Sequence, residues 1–381
     1  MKNDNKSKLK KDVKISVIMT VKNGEKYLAE SLNSTLKQTL KDIEIVCIEG
    51  NSSDNTPNIL KEFQEKDDRV KVYIQDKPGI GVAKNLGIEK STGEFITFLD
   101  ADDYYMDENA LNELYNAAKE HDVNICGAFR SVLNTDGSVE PLSLHRAFLV
   151  GFPKGRMFYY ENLQYDYHFH GYIYNREMIL NSDARFAETR AYDDTHFFIR
   201  AMTKAEKFYV IPIELYCYRL HSGYAWSKEV CYEALESLID QLNYTSLNNL
   251  DICHYITMQR LNYEYGPMFE KYIKFGDFKM LGLLVKAQIN INNDLIEKVM
   301  NRKPDQNIIN AMCFPDGEIK VMHIENKKRY VLTTLYNLIN TECKYDPYND
   351  VEKVYNSKTY KTGKAVLWLP KKILQVLHIK K

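Results

Sequence analysis

The chain has 381 residues, 44% of them hydrophobic and 27% charged, with a formal net charge of −1. The composition is that of an ordinary globular protein, and the length calls for two domains or one large domain with an extension. The charge balance leaves no global field for nucleic acid, so any basic site must be local.

Seven scattered cysteines without a CxxC pair speak against a disulfide scaffold or a zinc site, and a reducing cytoplasm is the expected compartment. The basic tail, residues 1–13, is not followed by a signal-peptide core, and no stretch approaches 18 apolar residues, so no transmembrane helix is expected. The 28 tyrosines suit a core at least as well as sugar stacking.

In chain order, Ile15–Met19 is an apolar run of strand length, as expected for a strand buried on both faces. Leu28, Leu32 and Leu36 follow at helical spacing, then a strand over Ile43–Ile48. Thr56 is positioned to cap a helix with Pro57 at its first position and Ile59, Leu60 and Phe63 on its apolar face. A strand over Val70–Ile74, a short helix over Val82–Glu89 and a strand over Glu94–Leu99 come next. Asp107 would cap a helix that turns Leu111, Leu114 and Ala118 inward, before a strand over Val123–Phe129.

This alternation predicts an α/β fold, a mostly parallel sheet flanked by helices, over residues 14–228. Residues 229–345 read as a helical domain. Residues 346–381 read as a polar linker and a basic amphipathic tail, with Val366, Leu369, Ile373, Val376 and Leu377 near helical spacing among lysines. Such a tail suits an anionic membrane surface, and docking on the protein's own body competes evenly.

Ligands of such sheets bind beyond the carboxyl ends of the strands, and three segments stand there. Asp100, Asp102 and Asp103 end an apolar strand. Like charges this close repel unless a cation sits among them, and oxygen ligands suit Mg²⁺ or Mn²⁺. From spacing alone, a solvated acidic turn is an even competitor. Glu49–Asp54 offers small polar groups to a ribose or base, and Lys77–Gly87 offers close backbone approach with Lys84 facing a diphosphate. Each of these two, alone, reads as a plain loop.

Taken in order, the segments resemble the family 2 glycosyltransferases of the GT-A fold, continuously over Ile15–Asp103. The resemblance rests on ISVIMTVKNGEKYL, IEIVCIEGNSSDNT, KPGIGVAKNLG and GEFITFLDADD. It implies a metal-dependent transfer of sugar from a nucleotide-diphosphate donor, taken as a UDP-sugar, to a hydroxyl of a glycan or lipid-linked acceptor, with inversion, in capsule or lipooligosaccharide synthesis. Asp102 would bind the metal, and Asp100 the ribose or metal. Thr20, Val21, Asn23, Glu49, Lys84 and Ala101 would belong to the nucleotide-sugar site.

The segment FAETRAYDDTHFF resembles the family's acidic-pair motif. It implies Asp194 as catalytic base and Asp193 as its companion toward the acceptor. The segment YRLHS implies Arg219 as a loop-ordering residue and His221 at the metal or diphosphate, while Trp226 is a candidate for sugar stacking. Two departures stand out: Glu49-Gly50 replaces the usual Asp-Asp after the second strand, and Asp193 replaces a Glu. They leave room for a non-catalytic nucleotide- or glycan-binding protein on the same fold. Nucleic acid is not an expected partner. A homo-oligomer and attachment to the inner membrane face remain open.

Overall fold

The computed structural model describes residues 12–141, 155–166, 169–220, 226–272 and 277–302, with the pairs 323–324 and 329–330. His221, residues 303–322, the linker and the amphipathic tail lie outside the described residues. The chain divides into two compact units, with the boundary between Trp226 and Ser227.

The first unit is built on a ten-stranded sheet. Its strands are β1 (Ile15–Val21), β2 (Ile43–Glu49), β3 (Val70–Ile74), β4 (Phe95–Phe98), β5 (Tyr104–Tyr105), β6 (Ile125–Leu133), β7 (Val139–Pro141), β8 (Arg156–Tyr159), β9 (Tyr172–Asn175) and β10 (Lys207–Arg219). The main path runs β3-β2-β1-β4-β9-β6-β10-β5. It is parallel from β3 to β4 and between β6 and β10, while β9 runs antiparallel to both its neighbours. β1 and β2 are apolar runs because helices cover both faces of the sheet, as parallel strands require.

The covering helices are α1 (Leu28–Leu36), α2 (Thr56–Lys66), α3 (Ile80–Lys90), α4 (Ala110–Glu120), α5 (Arg176–Leu180) and α6 (Asp194–Ala205). In α1 the buried residues are Leu28, Ser31, Leu32 and Thr35, one stripe at the helical period. Burial of each large apolar side chain in such stripes stabilises by about 1.5–3 kcal/mol.

Two helix starts differ from the sequence expectation. Thr56 does not cap α2, because its Oγ1 accepts a hydrogen bond from the Gly24 amide, 2.8 Å away; Asp54 Oδ1 accepts from the Thr56 amide instead. The helix after Asp107 begins at Ala110, and Asp107 Oδ1 accepts from the Asn109 amide in the preceding turn.

The second unit is helical over its main described stretch: α7 (Lys228–Leu247), α8 (Asp251–Gln259), a π turn (Arg260–Glu264), α9 (Gly266–Tyr272), α10 (Phe278–Asn290) and α11 (Asn293–Arg302). The short antiparallel pair β11 (His323–Ile324) and β12 (Arg329–Tyr330) also belongs to it. α7 packs on α8 and α10, and α8 on α11. His254 Nε2 accepts from the Asn292 amide at 2.8 Å, so Nδ1 carries the proton that faces Thr245 Oγ1 at 2.8 Å. Burial holds this imidazole neutral, down to about 4. Among the described residues no helix is long and apolar enough to cross a membrane.

Candidate nucleotide and catalytic site

A cleft of about 540 Å³ opens at the carboxyl ends of β1, β2 and β4. One end is lined by Ile48, Gly50, Gln75, Pro78 and Gly79, the other by Asp100, Ala101 and Asp102, with Thr20, Val21 and Asn23 between. This wall is stiff because the loops after β1 and β2 are laced together. Asn23 Oδ1 accepts from the Ser53 amide and the Asn23 amide donates to Ser52 Oγ, both at 2.9 Å. Asp54 Oδ2 accepts from the Glu25 amide at 3.0 Å, and Glu25 Oε2 accepts from the Asn55 amide at 2.9 Å. Asn23 and Asn51 hold positive φ, 54° and 57°, which asparagine tolerates better than most residues.

One carboxylate oxygen from each of Asp100, Asp102 and Asp103 falls within 4.8 Å of the others. β5 pairs antiparallel with β10, and that ladder brings Asp103 beside Arg219. Asp103 Oδ1 accepts from the Arg219 amide at 2.7 Å, and Oδ2 accepts from the Tyr216 hydroxyl. Burial and the charge of Asp100 push the Asp103 carboxyl up to about 8. Three carboxylates therefore resist simultaneous ionisation here, the condition that a divalent cation relieves, and hard oxygen donors suit Mg²⁺ or Mn²⁺. Arg219 orders this end of the cleft. Its Nε donates to the Asp102 carbonyl at 2.9 Å, its guanidinium reaches Glu30 at 2.7 Å, and it lies 4.1 Å from the Tyr27 ring centre.

Behind the cleft lies a second acidic group. Lys84 is only 4% exposed, and its ammonium pairs with Asp193 Oδ2 at 3.1 Å over the rings of Phe169 and Phe186. The sequence placed Lys84 at a diphosphate, but its neighbour Ala83 lines the cleft while the Lys84 ammonium is taken up by Asp193. Burial opposes its charge, but Asp193, Asp100 and Asp194 outweigh burial and keep the ammonium protonated. Asp194 opens α6. Burial, then the Asp193 charge, raise its carboxyl to about 6, with Lys84 opposing.

The surroundings are aromatic. Phe98, Phe169, Phe186 and Phe197 pack edge to face or stacked, with Phe186 and Phe197 stacked at 4.4 Å. Gly81 lets α3 approach this group, since a Cβ there would stand 2.0 Å from the Ala187 carbonyl oxygen. Tyr192, just before the acidic pair, holds φ 63°, a conformation that costs a bulky residue about 1–3 kcal/mol. Its hydroxyl donates to buried Asp166 at 3.0 Å.

Glu49 does not face the cleft: its two oxygens accept from the amides of Asn51 and Ser52 at 3.1 and 2.6 Å. Trp226 is half-buried at the end of the first unit. Several residues here carried no motif. His170 Nε2 lies 2.9 Å from Asp100 Oδ2. Burial pushes its imidazole below the usual range even beside that carboxylate. Burial opposes the charge of Asp100, yet His170, Lys84 and Arg130 outweigh it and hold the carboxyl far below its usual value. Tyr216 and Arg130 reach this point only because β6, β9 and β10 are neighbours, and β10 shifts register around Glu214.

The strand order and the acidic cluster at the cleft define a sugar-nucleotide transferase fold of the GT-A kind. The chain belongs to glycosyl transferase family 2, whose model matches residues 16–181. Glycosyltransferase GlyG of Streptococcus pneumoniae is 30% identical over 228 residues, covering 55% of this chain and 71% of that protein. The uncharacterized glycosyltransferase EpsJ of Bacillus subtilis is 28% identical over 214 residues, 54% of this chain and 60% of its own length. The chain thus spans about 60% of the length of EpsJ. Residues 1–349 of Staphylococcus aureus TarS, solved with UDP-GlcNAc, share the fold at a TM-score of 0.63 and 18% identity, over 84% of this chain and 99% of that one.

Proposed function

We propose that the chain transfers a sugar from a uridine-diphosphate donor to a hydroxyl of a glycan or lipid-linked acceptor, with inversion at the anomeric carbon, in the assembly of a bacterial surface glycan. The observation that carries this reading is Lys84. One buried ammonium feels the charge of Asp100 at the cleft and of Asp193 and Asp194 behind it, so donor cleft and acidic pair form a single electrostatic site.

The donor's nucleotide lies along Thr20–Asn23 and Gly50, with its diphosphate toward Asp102. Asp102 and Asp100 would hold Mn²⁺ or Mg²⁺, which when bound neutralises charge gathering on the departing diphosphate. Asp194 accepts the proton of the acceptor hydroxyl. Raised to about 6, it is still mostly ionised at neutral pH and well matched to that task. Lys84 holds Asp193 in place and keeps Asp194 from rising further. One base suffices because attack and departure occur in one displacement on opposite faces of the sugar. Arg219 keeps Asp102 turned to the cleft through its carbonyl.

The test is a thermal-shift panel of nucleoside diphosphates with and without Mn²⁺, on the native chain and on Asp102→Ala. UDP heads the panel because the related TarS fold was solved with UDP-GlcNAc. Ligand at about 100 times its dissociation constant stabilises by about 2.7 kcal/mol. Metal-dependent stabilisation that Asp102→Ala abolishes is the expected result. No response to any nucleotide would sink the transferase reading and leave a non-catalytic glycan-binding protein in its place.

A further inference from the structure

We infer that Gln75 reads the base of the bound nucleotide, its side-chain carbonyl oxygen accepting the imide N3–H of a uracil or thymine ring. The inference rests on the nucleotide reading of the cleft and names the residue that gives the cleft its base preference.

Gln75 follows β3 directly, is 5% exposed and lines the cleft opposite the acidic end. Almost every polar atom it owns is committed. Its backbone amide donates to the Glu49 carbonyl at 2.9 Å, and its own carbonyl accepts from Asn51 Nδ2 at 2.9 Å. Its side-chain Nε2 donates to the Gly79 carbonyl at 2.8 Å and to the Lys77 carbonyl.

Two carbonyls around one end of the amide decide which end is nitrogen. A flipped amide would set Oε1 against two acceptors and leave two donors pointing away. Oε1 is therefore fixed in direction, and no donor among the described residues reaches it.

The bare wall beside it shows where that oxygen faces. A Cβ on Gly50 would stand 3.5 Å from Gln75 Oε1, so the missing side chain is what uncovers it. Gly50 is also where the family usually carries the second of two aspartates. The remaining carboxylate, Glu49, has both oxygens occupied by its own loop. Among the described residues no donor is bonded to Gln75 Oε1, so it keeps its capacity to accept from a ligand.

An oxygen that only accepts selects by chemistry. Uracil and thymine present N3–H between two ring carbonyls. Cytosine, of the same size and shape, presents a lone pair at N3, and two acceptors would then face each other. Sites built around one such hydrogen bond discriminate strongly against the isostere that cannot make it.

The test is titration calorimetry of UDP, dTDP, CDP and GDP with Mn²⁺ on the full chain, on Gln75→Met and on Gly50→Ala. The native chain should bind UDP and dTDP at least about tenfold more tightly than CDP. Gln75→Met keeps the side chain's size but loses both the anchors and the oxygen. Loss of the anchors weakens every nucleotide alike, whereas loss of the reading oxygen brings UDP and CDP to within about threefold of each other. Gly50→Ala leaves the anchors intact and covers the oxygen, and should narrow the same ratio. It keeps the inference testable should Gln75→Met fail to fold. An unmoved UDP to CDP ratio in the variants, or CDP bound as tightly as UDP by the native chain, overturns this inference and leaves the transferase reading standing. Failure of all four to bind overturns both.

Discussion

Replacing Lys84 by methionine removes the ammonium and keeps most of the buried stem. Asp193 then stands 8% exposed beside Asp194 with its nearest cation gone. At 3.1 Å the lost attraction is about 5 kcal/mol at an effective dielectric of about 20. Breaking buried pairs from one side costs about 3–5 kcal/mol, because the remaining charge is left desolvated. For a unit of this size that lowers the melting temperature by about 6–20 °C.

The same change should raise the Asp194 carboxyl further, since Lys84 is the group that opposes its rise. The acid limb of the rate profile then moves upward. Removing Asp193 as well, in Lys84→Met/Asp193→Asn, should recover more than half of the lost stability, a coupling read by a double-mutant cycle of thermal or urea unfolding. A Lys84→Met cost below about 1 kcal/mol, with an unshifted acid limb, would refute the view that one ammonium ties the two acidic groups together.

Asp194→Asn should lower transfer by about 10²–10⁴-fold while circular dichroism and nucleotide affinity stay near native; appreciable turnover would remove Asp194 as the base. With Asp194 raised to about 6, the native rate should fall about tenfold per pH unit below that value, because the protonated carboxyl cannot take a proton; a flat profile down to pH 4.5 would contradict the assignment. Arg219→Ala frees the Asp102 carbonyl and should weaken metal-dependent nucleotide binding more than metal-free binding, as calorimetry with and without Mn²⁺ would read. Gly81→Ala places a methyl 2.0 Å from the Ala187 oxygen and should cost about 1–3 kcal/mol; an unchanged melting temperature would mean the segment yields freely.

Local chemistry was legible where one segment contains both the element and its group. The apolar strand Phe95–Phe98 running into three carboxylates placed the acidic cluster correctly, because strand end and charges are consecutive in the chain. The alternation of strand and helix patterns likewise predicted the parallel part of the sheet. Capping was less legible. Thr56 and Asp107 have the right residue types, but the partner that claims each group comes from another loop or from the preceding turn. The tail from Lys364 to Lys381 and His221 lie outside the described residues, so their roles stay with the sequence expectation.

What the sequence by itself determined is which charged and polar residues stand at the ends of the strands, since charge, turn-forming types and apolar runs are written locally. What only the tertiary structure decided is which of them face one another. Lys84 sits one residue from the cleft wall, yet turns to an aspartate 109 positions away. Glu49 folds onto its own loop while Gln75 comes forward. His170, Arg130 and Tyr216 meet Asp100 and Asp103 because β6, β9 and β10 close the sheet beside β4. The physical reason is that a buried charge or amide takes the partner which the packed fold brings within about 3 Å, and that pairing is set by strand order and register rather than by neighbours in sequence.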